Sequence, residues 1–218
     1  YAKRMGLPVG KLVCASNENN VLTDFIATGK YDRNRPFYNT VSPSMDILIS
    51  SNLERLLYLL SGGDDKLVAG YMKELSDTGC YQVSEEMRKK IQSVFVGGFS
   101  SEAETEATIG KMMDEHKYLI DTHTAVAFHV LEQYRKETGD QTKTVVASTA
   151  SPFKFCDAVL DALNVTDKAT GTALLDQLAE VSGMPAPQPL ATLKDKQVRF
   201  TSWTEKEQMR AVVTDFLK

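Results

Sequence analysis

Ser148 and Thr149 are the hydroxyls in this chain best placed by sequence to do chemistry. They lie in residues 144–155, where an apolar β-branched pair, Val145-Val146, runs into small polar residues and then Ser151-Pro152. A strand, a polar turn and a helix in succession bring such groups to the carboxyl edge of a parallel sheet. The same residue types also serve as plain turn and cap residues. A second polar cluster, Asn17-Glu18-Asn19-Asn20, follows the apolar run of residues 11–16. Its Asn17 and Asn20 amides could face a ligand or close a turn. Residues 30–44 show no period and carry Arg33, Arg35, Ser42 and Ser44. Arginines near a sheet edge can grip an anion bidentately, whereas arginines elsewhere on a surface are solvated. His123 stands at the start of a predicted helix, where backbone N–H groups favour an anion. The three histidines, His116, His123 and His129, lack zinc-like spacing, so no metal site is expected. Ser148, His123 and Asp121 could suggest a hydrolase triad, but no Gly-x-Ser-x-Gly elbow accompanies them.

These groups need elements to position them. The apolar runs predict parallel strands at residues 11–16 and 143–148. Helical spacing predicts helices over 21–28, closed by Gly29, then 51–60, 65–77, 84–94, 101–116, 121–138, 151–163 and 170–181. Ser51 and Ser84 are expected caps, and Ser101 with Glu104 forms a capping box. Residues 95–100, with Gly97-Gly98, read as a loop. Residues 183–189 read as an extended linker and 197–203 as a short strand or arm. Thr204 with Glu207 predicts a second capping box, opening a last helix that buries Met209, Val212, Val213 and Phe216. The expected fold class is α/β, helix-rich, with a parallel sheet flanked by helices.

Composition narrows the function classes. The 218 residues, 42% hydrophobic and 25% charged, suit one large domain or part of a larger enzyme. A net charge of -4 offers no general attraction to nucleic acid or to anionic membranes. No apolar run is long enough to span a bilayer, and no signal-peptide pattern is present. The three cysteines, Cys14, Cys80 and Cys156, are odd in number and far apart, which points to reduced thiols and a cytoplasmic location.

Several blocks taken in order carry more than any one alone. They are Ser16-Asn17-Glu18-Asn19-Asn20-Val21-Leu22, Phe25-Ile26-Ala27-Thr28-Gly29-Lys30-Tyr31, Ser42-Pro43-Ser44-Met45-Asp46-Ile47 and Ser51-Asn52-Leu53-Glu54-Arg55. Asp121-Thr122-His123-Thr124-Ala125-Val126-Ala127 and Ser148-Thr149-Ala150-Ser151-Pro152-Phe153-Lys154-Phe155 complete the series. Together they closely resemble the threonine synthase family, pyridoxal-phosphate enzymes of the tryptophan-synthase-β type (fold type II). The resemblance covers most of residues 1–163 and weakens across 164–218. Ser151 departs from the family pattern, which usually has His there.

The resemblance implies pyridoxal 5'-phosphate as cofactor and conversion of O-phospho-L-homoserine and water to L-threonine and phosphate. Thr149 would meet the pyridine nitrogen, with Ser148 beside it. Asn17, Asn20, Arg33, Arg35, Ser42, Ser44 and His123 are the substrate-side candidates. Residues 1–163 would belong to the catalytic domain, with 164–218 a helical extension packed on it. Residues 1–5 read as the end of a helix. In the family a phosphate-binding loop precedes that helix, and the Schiff-base lysine lies further upstream. The chain is therefore expected to be a C-terminal part that needs the N-terminal half of the same enzyme, with no catalytic residue of its own and no activity alone. Another fold-type II lyase such as threonine dehydratase, or a non-catalytic scaffold of the same fold, is the alternative.

Overall fold

A computed structural model describes all of residues 1–218. In chain order, β1 (Leu12–Ser16) leads to α1 (Val21–Thr28), β2 (Lys30–Asp32), α2 (Leu53–Leu60), α3 (Asp65–Thr78), β3 (Cys80–Gln82), α4 (Glu85–Val94) and β4 (Phe95–Phe99). Then come α5 (Glu102–His116), α6 (Thr122–Thr138), α7 (Cys156–Ala162), α8 (Ala173–Ser182), the short α9 (Gln188–Ala191) and α10 (Met209–Phe216). β1 and β4 pair in parallel, Leu12 opposite Phe95 and Ser16 opposite Phe99, while β2 and β3 form a small antiparallel pair. The chain is thus α/β and helix-rich, around a small parallel sheet.

β4 overturns the loop expected at residues 95–100. Its Gly97-Gly98 doublet reads as a breaker, but here it lets two helices approach a strand. A Cβ at Gly97 would lie 3.0 Å from the Thr23 backbone on α1, and one at Gly98 would lie 2.6 Å from Val130 Cγ1 on α6. Successive strand residues face opposite ways, so the two glycines admit one helix on each face of the sheet.

Residues 143–148 form no strand, contrary to expectation. They make no ladder with another segment, and Val145 is 92% exposed. A β-branched run supplies propensity only, and a strand needs a neighbour to pair with. The helix expected over 151–163 is interrupted. A 3-10 turn at Pro152–Lys154 precedes α7, because Phe155 at φ -130° and ψ 38° breaks the helical path. Ser51 does not cap α2; Asn52 occupies the cap position without a side-chain bond. The Thr204–Glu207 box also does not form. A 3-10 turn at Lys206–Gln208 leads into α10, and Met209, Val212, Val213 and Phe216 are all more than half exposed. The periodicity there is real, but the face it creates is not buried by this chain. The end of the expected linker folds as α9, entered through Pro187, and residues 197–203 contain no strand.

The caps that do form use local chemistry. Ser84 Oγ accepts from Met87 N, and the Ser101–Glu104 box is complete. Gly29 closes α1 in the left-handed region at φ 75°. Two apolar clusters hold the elements. The first joins α1, β2, α2, α3, β3 and α4 around Phe25, Tyr31, Leu57, Tyr81 and Ile91. Tyr31 and Tyr81 stack at 5.3 Å, and Tyr71 stacks on Tyr81 at 5.1 Å. The second joins α5, α7 and α8 through Ile109, Val159, Leu160 and Leu178. Each fully buried Leu, Ile or Phe contributes about 1.5–3 kcal/mol. No helix is long and apolar enough to cross a membrane.

Candidate functional site

The site is built where β1 ends. Its last residue, Ser16, and the following Asn17 and Asn19 are buried, so their polar atoms require partners. The loop of residues 38–46 supplies them. Asp46 is the hub: its Oδ1 accepts from Asn17 Nδ2 at 2.8 Å, Asn19 Nδ2 at 3.0 Å and Thr40 Oγ1 at 2.6 Å. Its Oδ2 accepts the Thr40 backbone N–H at 3.0 Å. Asn17 Nδ2 also lies 2.8 Å from Thr40 Oγ1 and 3.0 Å from Ser42 Oγ, and its Oδ1 accepts from Asn19 N. Asn19 grips Tyr38 from both ends of its amide. From α5, Glu102 accepts the Val41 N–H at 2.9 Å. Burial raises the Glu102 carboxyl above its ordinary value, with Glu18, Glu106 and Asp46 adding to the rise against the Val41 bond.

A second arm comes from the start of α6. Asp121 caps it, accepting from the His123 and Thr124 backbone N–H groups. His123 Nδ1 lies 3.1 Å from Asp121 Oδ1, and His123 Nε2 accepts the Ser44 backbone N–H at 3.1 Å. An N–H donor at Nε2 requires the neutral tautomer with its proton on Nδ1, directed at Asp121. The His123 ring also packs at 4.8 Å from Phe155. Thr124 Oγ1 donates to Asp121 Oδ2. The Thr124 and Ser148 hydroxyl oxygens are 2.9 Å apart. Thr124 has one hydroxyl proton, committed to Asp121, so Ser148 supplies the proton of the second bond. Burial pushes the Asp121 carboxyl up, yet the bonds from His123 and Thr124 outweigh it and hold the carboxyl below its ordinary value.

The residues singled out by sequence divide into groups. Asn17 and Ser42 belong to the Asp46 network, and Ser44, His123 and Ser148 to the Asp121 network, the two joined through the chain between Ser42 and Ser44. Thr149 is exposed beside Ser148. Asn20 and Arg35 form a separate pair: Arg35 Nη1 donates to Asn20 Oδ1 at 3.0 Å and to Asp24 at 2.8 Å, while its Nε bonds the Asp32 carbonyl. Arg33 is not brought to the network; it is held at the end of α3 by Ser76 and Gly79. Sequence reasoning missed Asp46, Asn19, Thr40, Asp121 and Thr124 as organising groups. Their types were visible, but Asn17 and Asn19 find their loop partners 19 to 29 residues away and Thr124 finds Ser148 24 away, which no spacing rule reports. Asp121 meets His123 and Thr124 two and three residues on, where the sequence shows a cap but not what the cap connects.

Beside the network, a cavity of about 690 Å³ lies between Thr40, Val41 and Pro43 on one side and Phe153, Lys154 and Phe155 on the other. The groups present fit one part of a pyridoxal-type cofactor. An exposed threonine hydroxyl, next to a serine whose own proton is already engaged, can meet a pyridine nitrogen. No glycine-rich cradle for a phosphate accompanies it.

Comparison with known proteins follows from this geometry. Residues 124–213 match the family described as "Threonine synthase, C-terminal". The match runs through residues 164–213, where the sequence shows no motif by eye. The chain is 39% identical over 187 residues to human threonine synthase-like 1, covering 85% of this chain and 25% of that protein. It is 38% identical over 178 residues to the threonine synthase of Saccharomyces cerevisiae, covering 75% of this chain and 35% of that protein. Among solved structures, yeast threonine synthase superposes with a TM-score of 0.83 at 32% identity, over 99% of this chain and 44% of that one. A PLP-bound threonine synthase from Brucella melitensis gives 0.80 at 34% identity, over 99% of this chain and 41% of that one. The chain therefore spans less than half the length of each of these relatives.

Proposed function

Because the chain belongs to the threonine synthase family, matching its C-terminal part, we propose that the whole protein converts O-phospho-L-homoserine and water to L-threonine and phosphate. The Ser148-Thr149 turn, tied to the start of α6 inside the family-matched region, is the observation that carries this reading. Pyridoxal 5'-phosphate, when bound, supplies the electron sink for proton removal at Cα and Cβ and for phosphate loss from Cγ. Thr149 would offer its hydroxyl to the pyridine nitrogen. Unlike a carboxylate, a hydroxyl does not enforce a protonated ring, which moderates the sink and favours elimination. Ser44 and His123 stand at the substrate side, with Asn17 and Ser42 shaping the loop that carries them. Asn20 and Arg35 fix the base of that loop, and Arg35 is its nearest cationic group for a substrate phosphate, since Arg33 is held apart at the end of α3.

Residues 1–163 form part of the catalytic domain in this reading, and 164–218 are a helical extension that packs on it through α8, which shares a core with α7, while α10 stays exposed. A Schiff-base lysine and a phosphate loop come from the N-terminal part of the same enzyme, and the isolated chain is inactive. Three free thiols suit a cytoplasmic enzyme.

The test is phosphate release from O-phospho-L-homoserine by the full-length protein, with parallel Arg33→Gln and Arg35→Gln variants. Threonine formed in step with phosphate supports the reading, with the Michaelis constant raised more than the cofactor affinity is lowered in Arg35→Gln and both near parent values in Arg33→Gln, the control away from the loop. Ammonia release from threonine with no phosphate release would make it a dehydratase, and cofactor-free inertness would make it a scaffold.

A further inference from the structure

We infer that Asp121 is a positioning residue that keeps the substrate loop and the cofactor-contacting turn in register. The inference rests on the functional reading above, but its geometry stands apart from it. An N-cap needs one oxygen to accept backbone N–H groups. Asp121 does more. Its side chain is fully buried, and its two oxygens serve two separate arms. Through Oδ1 it receives His123 Nδ1 and so fixes the tautomer whose Nε2 holds the Ser44 N–H. Through Oδ2 it takes the Thr124 proton, which leaves Thr124 to receive Ser148. Ser44 lies in the loop that follows β2, and Ser148 in the turn before α7. No other carboxylate is bonded to both arms.

The two arms also differ in what they deliver. The His123 arm ends on a backbone N–H, so it sets the path of residues 42–46 and leaves the Ser44 hydroxyl free to face a substrate. The Thr124 arm ends on a hydroxyl and fixes which way the Ser148 proton points, and with it the turn that presents Thr149. A carboxylate is required at the junction. An amide of the same shape can keep one acceptor for the cap, but its –NH2 cannot take the Thr124 proton.

The experiment uses the full-length protein loaded with pyridoxal phosphate and three near-isosteric variants. Thr124→Val breaks the turn arm alone, and should weaken cofactor binding and shift its absorption band while the Michaelis constant for O-phospho-L-homoserine holds. His123→Phe keeps the ring against Phe155 but removes the Nε2 acceptor. It should raise that Michaelis constant and accelerate hydrogen exchange at the Ser44 amide, with cofactor affinity unchanged. Asp121→Asn keeps the Oδ1 acceptor of the His123 arm and should reproduce the Thr124→Val effects alone, whereas Asp121→Ala, which removes both oxygens, should show both effects at once. Each is expected at about tenfold, the scale of one hydrogen bond. Thr124→Ser, which keeps the hydroxyl, should restore the parent values. If Asp121→Ala does not fold, the Thr124→Val/His123→Phe double variant carries the same comparison. Asp121→Ala that lowers the melting temperature and leaves cofactor affinity, Michaelis constant and Ser44 exchange at parent values would reduce Asp121 to a helix cap and overturn the inference. If the parent releases no phosphate, the functional reading fails instead. Ser44 exchange and cofactor affinity then decide the positioning role without it.

Discussion

On the proposed reading, a carboxylate at position 149 in place of the hydroxyl would change the chemistry. Thr149→Asp in the full-length protein should favour a protonated pyridine ring and slow phosphate release by about one to two orders of magnitude, with the fold intact. Turnover and cofactor absorption both equal to the parent's would remove Thr149 from the site. Asp121 makes a separate prediction about acid. Its carboxyl is held below its ordinary value against burial, by bonds from His123 and Thr124. A depressed carboxyl contributes stability that is present above its unfolded value and is lost as pH falls through its folded one. Melting temperature followed from about pH 5 to about pH 2 should therefore fall more steeply in the parent than in Asp121→Asn. Parallel curves would show that the bonds around Asp121 do not favour its charged form.

Among the elements, β4 is the one whose residues say least about its structure. Gly97→Ala should destabilise by about 1–3 kcal/mol, because the new Cβ meets the Thr23 backbone, which cannot rotate away. Gly98→Ala meets a side chain, Val130 Cγ1, so Val130→Ala should recover much of its loss but none of the loss from Gly97→Ala. Denaturant midpoints of the single and double variants measure both; equal rescue would mean that α1 and α6 do not crowd opposite faces of β4. These contacts explain what was legible beforehand. α1, α3, α4, α5 and α6 were visible because their signals are local: a cap, a stripe and a closing glycine or a capping box. β4 was hidden because its glycines answer to helices that sequence spacing does not connect to it. Residues 143–148 misled in the opposite sense, since their β-branched pair has the propensity of a strand and no ladder. At the site, the family blocks marked Asn17, Ser42, Ser44 and Ser148, whereas Asp46 and Asp121 emerged as junctions only once the chain was folded.

On the scale of the whole molecule, the lysines suggest what residues 1–218 will not do alone. Lys11 is bonded to the Gln92 and Ser93 carbonyls, and Lys30 is paired with Asp32. Lys154 lines the cavity but is exposed, with no enclosing pocket to hold a covalently bound cofactor against it. Mixing this chain with pyridoxal phosphate and reducing with borohydride should label no single lysine stoichiometrically; one fully labelled peptide, with phosphate released from O-phospho-L-homoserine, would refute that. The α10 face, with Phe216 at 86% exposed and Val213 at 57%, should also drive association of the isolated chain. Phe216→Glu should shift sedimentation towards monomer, and an unchanged profile would place the contact elsewhere. The pairing of Leu12 with Phe95 has one more consequence, in time. Closing so long a loop before any ladder bond forms costs chain entropy, whereas the aromatic cluster between the two strands needs only shorter closures. During refolding, tyrosine fluorescence from that cluster should recover first. The carboxyl end of β1, and the buried asparagines that follow it, should arrive late, when the two strands at last find each other.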